Sequence, residues 1–555
     1  MSNLSAVYRN GQVFVTWTEA ETPPGTTFNV YSSVKPFGPR ARPGSALVLA
    51  RHVHRHSARD WWQDPASFGK DAAAAAPAGF VIRDGGEPLD PSSGLFVHTV
   101  TEKTAGRRFY AVTVTGPSGP EDRTLRSGRN ALSSAVAARV AQPLPIWQGP
   151  GTLPREGSAR GSALVLRLHG RGGGVTAGAR SSHVNCLWFA DAQQGWREGL
   201  AFKFKLNVSG GQIQIVPMDR VWVGRPVAES WDGRDHCPAI NTWWYGYHSE
   251  IYKSTSTPNA IAPNYTERYL IALVRWGQKY LGADRNRTYV TGGSMGGSGT
   301  VALALHFPDV FAAANAHVPV YSCTRPGRGS ARRLECMVGS LKDRRVVTSD
   351  GVPLLDYMNG AATIRTAAID TPPIFSCNGR KDGSIPWENN PPFYRAASDA
   401  KQAFAVYWNN GSHGMSREAP DDVKAWGRRM LEYRLDRSYL VFTNCSDDRD
   451  YGRGDPADGD LIGWVNRGLG WNDMVDARDR YEVTVTAVYP GIGYPVTVDV
   501  TPRRLQQFRL TPRQRVEVRV GNAALVGCVV DARGLLTVKG VAVRGEQGTR
   551  IAMRK

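Results

Sequence analysis

A short glycine-rich tract around one serine constrains the fold of this chain more than any other feature. Residues 292–297 have the sequence GGSMGG and contain the pattern G-x-S-x-G, with Ser294 at its centre. A β-branched run precedes the tract at 288–291, and a helical pattern follows it at 299–307. Small residues on both sides allow a turn so tight that the serine hydroxyl projects above the edge of a sheet. The tract therefore predicts a strand, a strained turn at Ser294, and a helix whose N-terminus favours developing negative charge.

The middle of the chain alternates between short apolar runs and helical patterns. The runs at 163–168, 212–216 and 403–408 are typical of buried strands, and 265–281 has apolar residues at helical spacing. Alternation of this kind favours a mostly parallel sheet covered by helices on both faces. We therefore expect an α/β fold with a doubly wound sheet over residues 155–436.

Both flanks of this region lack helical periodicity. β-Branched and aromatic residues alternate with polar ones at 12–17 near the N-terminus, and at 481–486 and 516–520 near the C-terminus. Such patterns predict an all-β, sandwich-like domain at 1–145, which carries an insertion, and a second one at 437–555. With 555 residues, the chain is long enough for three units, each with its own core.

A nucleophilic serine requires a base and an acid that orients the base, and in chain order both are expected after Ser294. Asp382 follows the apolar run at 373–376 through a glycine turn, and His413 lies beside a glycine after the run at 403–408. We therefore predict a catalytic triad of Ser294, Asp382 and His413. In this triad His413 removes the serine proton and Asp382 holds the imidazole.

Backbone N–H groups are needed to stabilise the negative oxygen that forms when a serine attacks a carbonyl. Met295, which directly follows the serine, is predicted to supply one donor. The strand-like run at 163–168 leads into HGRGGG at 169–174, and the backbone N–H of Gly170 or Arg171 is predicted as the second donor. The alternative for this loop is a glycine-rich turn without a catalytic role.

These tracts together resemble those of the α/β-hydrolases. GGSMGG is similar to their nucleophile elbow, the turn with Asp382 is similar to their acid loop, and HGRGGG is similar to the H-G-G-G loop of lipases and esterases, with Arg171 in place of a glycine. Residues 160–435 resemble the group that contains polyhydroxyalkanoate depolymerases, feruloyl and acetylxylan esterases, and prolyl-oligopeptidase-like enzymes. The resemblance implies a serine hydrolase that acts through an acyl-serine intermediate.

The N-terminal region resembles a fibronectin type III domain at Trp17, Tyr31 and Tyr110. A module of this kind beside a hydrolase is similar to the arrangement in secreted polymer-degrading enzymes. The resemblance implies a carboxylic ester hydrolase acting on a polymeric or polymer-derived ester, either a polyester or a plant polysaccharide ester. Two alternatives stay open: a prolyl-oligopeptidase-like peptidase, although no propeller repeat occurs in 1–145, and an adhesin built on an inactive hydrolase scaffold.

An aromatic tract between the run at 212–216 and the helix at 265–281 bears on the substrate. Its aromatic side chains predict either a platform for a sugar, an aromatic acyl group or a polyester segment, or a small aromatic core that holds a long insertion. His317 follows a strand and is expected to line the site, but not to act as the base because it precedes Asp382 in the chain. The predicted substrate-binding residues are Trp243, Trp244, Tyr245, Tyr247 and His317.

No metal or other cofactor is expected at the triad, and no C-x-x-C motif indicates zinc. Asp455, Asp458 and Asp460 crowd one glycine-containing loop, which predicts either a structural calcium site or a solvated acidic turn. Two candidate disulfides, with buried free thiols as the alternative, are Cys323–Cys336 and Cys445–Cys528.

The net charge of +19 comes from 68 basic and 49 acidic residues. A basic surface attracts acidic polysaccharide, anionic lipid or nucleic acid, but no dense Lys/Arg block occurs, so no nucleic-acid partner is predicted. No apolar run reaches the ~18 residues of a membrane span. Residues 1–7 lack the features of a signal peptide, and secretion is expected from the domain architecture alone. The oligomeric state is left open.

Overall fold

The computed structural model describes residues 1–38, 43–44, 46–59, 79–141, 143–148, 153–169, 181–184, 202–219, 221–222, 239–248, 260–323, 334, 346–545 and 547–555. Over these ranges, no helix combines the length and the apolar character needed to cross a membrane.

The described residues of the N-terminal unit form two antiparallel sheets. One has the order β1-β2-β5, and the other has the order β4-β3-β6-β7 with β8 also paired to β6. Trp17 from the first sheet and Phe28 from the second pack in one core, with ring centroids 5.4 Å apart. The strands are β1 (Ser2–Arg9), β2 (Gln12–Thr18), β3 (Thr27–Ser33), β4 (Leu47–His54), β5 (Gly94–Thr99), β6 (Gly106–Thr115), β7 (Glu121–Asp122) and β8 (Val136–Ala138).

The middle of the chain supplies the strands of the central sheet and the helices that cover it. Its strands are β9 (Ile146–Gln148), β10 (Ala163–Leu168), β11 (Ser181–Val184), β12 (Phe202–Ser209), β13 (Gln212–Pro217), β14 (Val221–Trp222), β15 (Ala239–Ile240), β16 (Thr288–Gly293), β17 (Ala313–His317), β18 (Ile374–Gly379) and β19 (Phe404–Asn409). Its α-helices are α1 (Tyr265–Trp276), α2 (Met295–His306), α3 (Leu354–Tyr357), α4 (Gly360–Thr366), α5 (Asn390–Asp399), α6 (Asp421–Lys424) and α7 (Trp426–Arg429). A π-helical turn, Gly277–Leu281, extends α1, and short 3₁₀ segments occur at Trp387–Asn389, Met415–Arg417 and Met430–Glu432.

Two further antiparallel sheets make up most of the C-terminal part. Their orders are β20-β24-β27 and β22-β23-β28-β25-β26, and their inner faces share one apolar core. The strands from here to the end of the chain are β20 (Tyr439–Thr443), β21 (Gly463–Val465), β22 (Leu469–Asp476), β23 (Arg480–Ala487), β24 (Val496–Arg503), β25 (Arg515–Val520), β26 (Val526–Val529), β27 (Val538–Val543) and β28 (Thr549–Arg554).

Within the described ranges, the central sheet has ten strands in the order β21-β19-β18-β17-β16-β10-β13-β12-β11-β9. The six strands from β19 to β13 in this order are parallel to one another. Leu164 and Leu166 of β10 pack on one face in the cluster that includes Leu273 of α1, whereas Val165 packs on the other face in the cluster that includes Trp426. This is the two-faced α/β sheet that the alternation of strands and helices predicts.

The central sheet extends beyond residues 155–436 at both ends. β9 pairs with β11 at one edge, and β21 pairs antiparallel with β19 at the other. β21 lies within the range predicted for the C-terminal domain, after β20 has already joined a C-terminal sheet. The chain therefore returns to the central sheet, where β21 pairs with the otherwise open edge of β19.

Buried arginines attach the C-terminal strands to the α/β unit. The guanidinium of Arg503, at the end of β24, donates to Asp370, and that of Arg467 donates to Asp422 at 2.8 and 2.9 Å. Disulfides do not contribute among the described cysteines. Cys445 and Cys528 are free thiols, so their predicted pairing is wrong. Cys323 is also a buried free thiol, and Cys336 lies outside the described residues.

We predict that Gly463→Ala destabilises the fold through the contact between β21 and the central sheet. A Cβ at Gly463 would lie 2.3 Å from Cζ2 of Trp408, a ring buried in the core. The free energy of unfolding should fall by about 1–3 kcal/mol, as is typical of overpacking, and urea denaturation measures it. Gly527→Ala is the matched control because Gly527 is also in an edge strand, where an added Cβ would meet no atom within 4 Å. Equal stability of the two variants would contradict the packing of β21.

Candidate active site

Ser294 lies at the turn between β16 and α2, with backbone angles of φ +57° and ψ −126°. This conformation is strained for a residue with a side chain. Glycines make the turn possible: a Cβ at Gly292 would lie 2.4 Å from a backbone oxygen, one at Gly296 would lie 2.3 Å from the Leu168 oxygen, and one at Gly297 would lie 2.5 Å from the His317 oxygen. The turn is therefore packed tightly against the strands next to β16.

The structure brings Ser294, Asp382 and His413 together. His413 Nε2 lies 2.8 Å from Ser294 Oγ, and His413 Nδ1 lies 2.7 Å from Asp382 Oδ2. These are hydrogen-bonding distances, so a single imidazole connects the hydroxyl to the carboxylate. The three residues come from three loops that follow the carboxyl ends of β16, β18 and β19.

The carboxylate of Asp382 is held by its own loop. Its Oδ1 accepts hydrogen bonds from the backbone N–H groups of Ser384 at 2.8 Å and Ile385 at 3.0 Å. The side chain is 2% exposed, whereas that of His413 is 40% exposed. Oδ2 is therefore directed at the imidazole in a dry environment, and the imidazole remains accessible to a substrate.

Met295 begins α2, so its backbone N–H has no acceptor within the helix. Met295 directly follows Ser294 in the chain, and its role as the first oxyanion donor stays a prediction. Gly170 and Arg171, the candidates for the second donor, lie outside the described residues. His169, which precedes them, lines the cleft beside Ser294 and His413.

The cleft beside Ser294 and His413 has a volume of about 690 Å³. Polar and basic side chains contribute much of its described wall, including Arg167, Gln214 and Lys424. Its volume is within the range of ~300–1,000 Å³ that is usual for ligand sites.

His317 also lines this cleft, as expected. Its Nδ1 lies 3.3 Å from the sulfur of Cys377, and its carbonyl accepts the backbone N–H of Ser294 at 2.8 Å. Burial, reinforced by the positive charge of Arg167, lowers the pKa of His317 and favours its neutral form. His317 therefore supports the serine turn through its backbone, while the base position is occupied by His413.

The predicted aromatic platform is wrong, because the four side chains belong to the core. Trp243, Trp244, Tyr245 and Tyr247 are at most 5% exposed and pack in the main apolar cluster of the α/β unit. Asp219, which is 1% exposed, fixes their loop by accepting the backbone N–H groups of Thr242 and Trp244 at 3.0 Å each. The second interpretation of this tract, a small aromatic core, describes it correctly.

An arginine occupies the centre of the aspartate-rich loop, for which the sequence predicts either a structural calcium site or a solvated acidic turn. The guanidinium of Arg380 donates to the backbone oxygens of Asp455, Asp458 and Asp460. A calcium ion that used these backbone oxygens as ligands would compete with the guanidinium for them. Among the described residues, no group of three or more His, Cys, Asp or Glu side chains is arranged to hold a metal ion.

Sequence reasoning did not single out Arg380, although it lies two residues before Asp382. Its partners are 75–80 residues further along the chain. The only signal in the sequence for such a partner was the surplus of acidic residues in that loop. This surplus predicts a metal ion as readily as a buried guanidinium.

Comparison with protein families links this geometry to an activity. The model of the Esterase family matches residues 226–436, which is less than half of the chain but contains all three triad residues. The chain is a serine ester hydrolase. A comparison with curated proteins found no significant match.

Solved structures with some likeness to this hydrolase include both esterases and a peptidase. S-formylglutathione hydrolase from Agrobacterium tumefaciens is 12% identical, with 60% of this chain and 93% of that chain covered and a TM-score of 0.32. Thermogutta terrifontis esterase 2 is 14% identical, with 52% and 86% covered and a TM-score of 0.28. Prolyl oligopeptidase B from Galerina marginata is 13% identical, with 61% and 48% covered and a TM-score of 0.30. Likenesses this low do not discriminate between ester and peptide substrates.

We predict that Asp382→Asn lowers the kcat of the hydrolase by about 10⁴-fold, because an amide favours the wrong tautomer of His413. Steady-state kinetics on a p-nitrophenyl ester measures the loss, and the KM should change little. The control is Asp370→Asn, since Asp370 precedes the same strand β18 at its opposite end and binds Arg503. A kcat that falls equally in both variants would mean that Asp382 has no special role.

Proposed function

We propose that this hydrolase cleaves carboxylic esters of polymeric or polymer-derived substrates through an acyl-Ser294 intermediate. The observation that carries the proposal is the continuous hydrogen-bonded chain from Ser294 Oγ through the His413 ring to Asp382, at 2.8 and 2.7 Å. An isolated serine hydroxyl is a weak nucleophile, and a hydrogen-bonded base with an orienting acid is the arrangement that activates it.

In the first half of the reaction, Ser294 Oγ attacks the ester carbonyl while His413 Nε2 takes the hydroxyl proton. Asp382 keeps the other proton on Nδ1 and stabilises the imidazolium that forms. When the tetrahedral intermediate collapses, the C–O bond to the alcohol breaks and His413 donates its proton to the departing oxygen. The acyl group is then bonded to Ser294.

In the second half, water attacks the acyl carbon and gives a proton to His413. The bond to Ser294 Oγ breaks, the proton returns to that oxygen, and the carboxylic acid leaves. In both halves the negative oxygen would accept a hydrogen bond from Met295 N–H at the N-terminus of α2, where the helix dipole is favourable. The second donor, Gly170 or Arg171, stays a prediction.

Two features support a polymeric or polymer-derived substrate. The cleft of about 690 Å³ is larger than a short acyl group requires. All-β units flank the α/β sheet on both sides in the sequence, an arrangement suited to spacers or polymer-binding modules. Arg167, Gln214 and Lys424 in the wall favour a polar polymer, such as a polysaccharide ester, over an apolar polyester. The resemblance of the N-terminal unit to a fibronectin type III domain and secretion of the enzyme are further parts of this proposal.

The prolyl-oligopeptidase-like alternative is less well supported by the architecture. A propeller is built from radially repeated four-stranded blades. The described N-terminal residues instead form one sheet of three strands and one of five. The triad alone serves either chemistry, so only substrates discriminate between the two functions.

We predict that the enzyme hydrolyses short-chain p-nitrophenyl esters and releases acid from acetylated or feruloylated xylan, but does not cleave a prolyl p-nitroanilide. Ser294→Ala should lower kcat by about 10⁴–10⁶-fold because the nucleophile is removed. Ser349→Ala, at an exposed serine outside the cleft, serves as the control.

Each other outcome has a definite meaning. Comparable cleavage of the anilide would replace the esterase proposal with the peptidase alternative. Release of acid from a polyhydroxyalkanoate film but not from xylan would retain the ester chemistry and reverse the choice of polymer. Full activity of Ser294→Ala would show that Ser294 is not the nucleophile.

A further inference from the structure

Arg380 is among the largest fully buried side chains of the protein, with 1% of its surface exposed. Its guanidinium donates to four backbone oxygens of one loop: to Pro456 from Nε at 2.9 Å, to Asp460 from Nη1 at 2.9 Å, and to Asp455 and Asp458 from Nη2. A buried charge is costly unless its donors are satisfied. The loop satisfies the buried guanidinium with a converging set of carbonyls.

The loop at 450–460 is held together by its own contacts as well. Asp460 Oδ2 accepts the backbone N–H of Asp450 at 2.9 Å, and the backbone oxygen of Asp460 accepts the indole N–H of Trp408 at 2.7 Å. The Arg380 guanidinium also stacks over Trp387, 4.7 Å from the ring centroid. Burial lowers the pKa of Arg380 and the surrounding aspartates oppose this shift, so the loop favours the charged guanidinium.

The backbone of Arg380 lies at the point where the acid and base loops meet. Its N–H donates to the Asn409 oxygen at 2.9 Å, and the next N–H, of Lys381, donates to the Gly411 oxygen at 3.0 Å. Asp382 follows at once, and His413 is two residues beyond Gly411. A Cβ at Gly379 would lie 2.5 Å from the Gly411 oxygen, so these loops are already at their closest approach.

We propose that Arg380 is a positioning residue for the hydrolysis: by binding the carbonyls of residues 455–460, it fixes the turn that carries Asp382 and thereby aligns Asp382 with His413. The inference rests on the proposed function of the triad. Through this role of Arg380, the segment between β20 and β21 affects catalysis directly. This segment belongs to the C-terminal part of the chain. Displacements of about 1 Å in a catalytic group commonly cost about 10²-fold in rate.

The test compares Arg380→Met and Arg380→Lys with the full-length enzyme on a p-nitrophenyl ester. Methionine removes every donor and leaves four carbonyls without their partner, so kcat should fall about 10²-fold with KM nearly unchanged. Lysine keeps the charge but not the planar fork, so it should restore part of the lost kcat. If Arg380→Met fails to fold, Arg380→Lys still gives the comparison.

The matched control is Arg503→Met. Arg503 is also buried and also donates to backbone oxygens, those of Ala400 and Lys401, near the opposite end of β18. Unlike Arg380, it donates to a carboxylate as well, that of Asp370. Its loss should lower the melting temperature as much as the loss of Arg380 while leaving kcat within about threefold. If kcat falls in parallel with melting temperature in both variants, Arg380 is merely structural and the proposal is wrong.

A double-mutant cycle isolates the positioning effect. In an Asp382→Asn background, Arg380→Met should cost less than about threefold in kcat, because Arg380 acts through a carboxylate that is no longer present. An equal cost in both backgrounds would overturn the inference.

Failure of this inference and failure of the proposed function give different results. If the triad does not act, Ser294→Ala retains activity. The double-mutant cycle between Arg380 and Asp382 would then report nothing about catalysis. If only the positioning role is wrong, Ser294→Ala is inactive while Arg380→Met and Asp382→Asn are additive.

Discussion

The strained backbone of Ser294, at φ +57° and ψ −126°, is the constraint on which the site depends. A residue in such a conformation costs of order 1–3 kcal/mol, and surrounding structure must maintain it. Here the Ser294 N–H donates to the carbonyl of His317 in β17, and Gly296 allows the turn to approach Leu168 at the end of β10. The central strands of the sheet therefore hold the serine in place, and the turn cannot relax without disturbing their packing.

A parallel sheet gives this turn its catalytic partners. The carboxyl ends of β16, β18 and β19 lie on the same side of the sheet, because these strands are parallel. The loops that follow them carry Ser294, Asp382 and His413. Adjacent strands are about 4.8 Å apart, so β18 and β19, which are neighbours, place acid and base loops in direct contact. β19 is three strands away from β16, so the loop after β19 must carry His413 back across the strand ends before its imidazole lies 2.8 Å from Ser294 Oγ.

The C-terminal part of the chain is integrated into the α/β unit and is not a simple appendage. β21 completes an edge of the central sheet, Arg503 binds Asp370 at one end of β18, and the loop at 450–460 encloses Arg380 at the other end. Both ends of the strand that leads to the catalytic acid are thus tied to sequence beyond residue 436. Through Arg380, changes in the loop at 450–460 have a physical route to the turn that carries Asp382.

Features that depend on local pattern could be predicted from the amino-acid sequence. Apolar periodicity gives the strands of the parallel sheet, and the glycines around Ser294 define the elbow because only small residues permit that turn. The order serine, aspartate, histidine follows from the order of strands, so Asp382 and His413 could be chosen from their places after β18 and β19. These predictions use neighbours in the chain, for which a single sequence contains the necessary information.

Contacts between segments that are distant in the chain could be recognised only in the folded protein. The tract from Trp243 to Tyr247 has the same composition whether it is an exposed platform or a core, and its burial depends on the helices and strands around it. The aspartates near Asp458 suit calcium or a guanidinium equally well, and Arg380, more than 70 residues earlier, supplies the cation. β21 has only three residues, too few for its sequence to indicate which sheet it joins. In each case the contact that matters joins residues that are far apart in the chain. Local periodicity and spacing carry no information about such a partner.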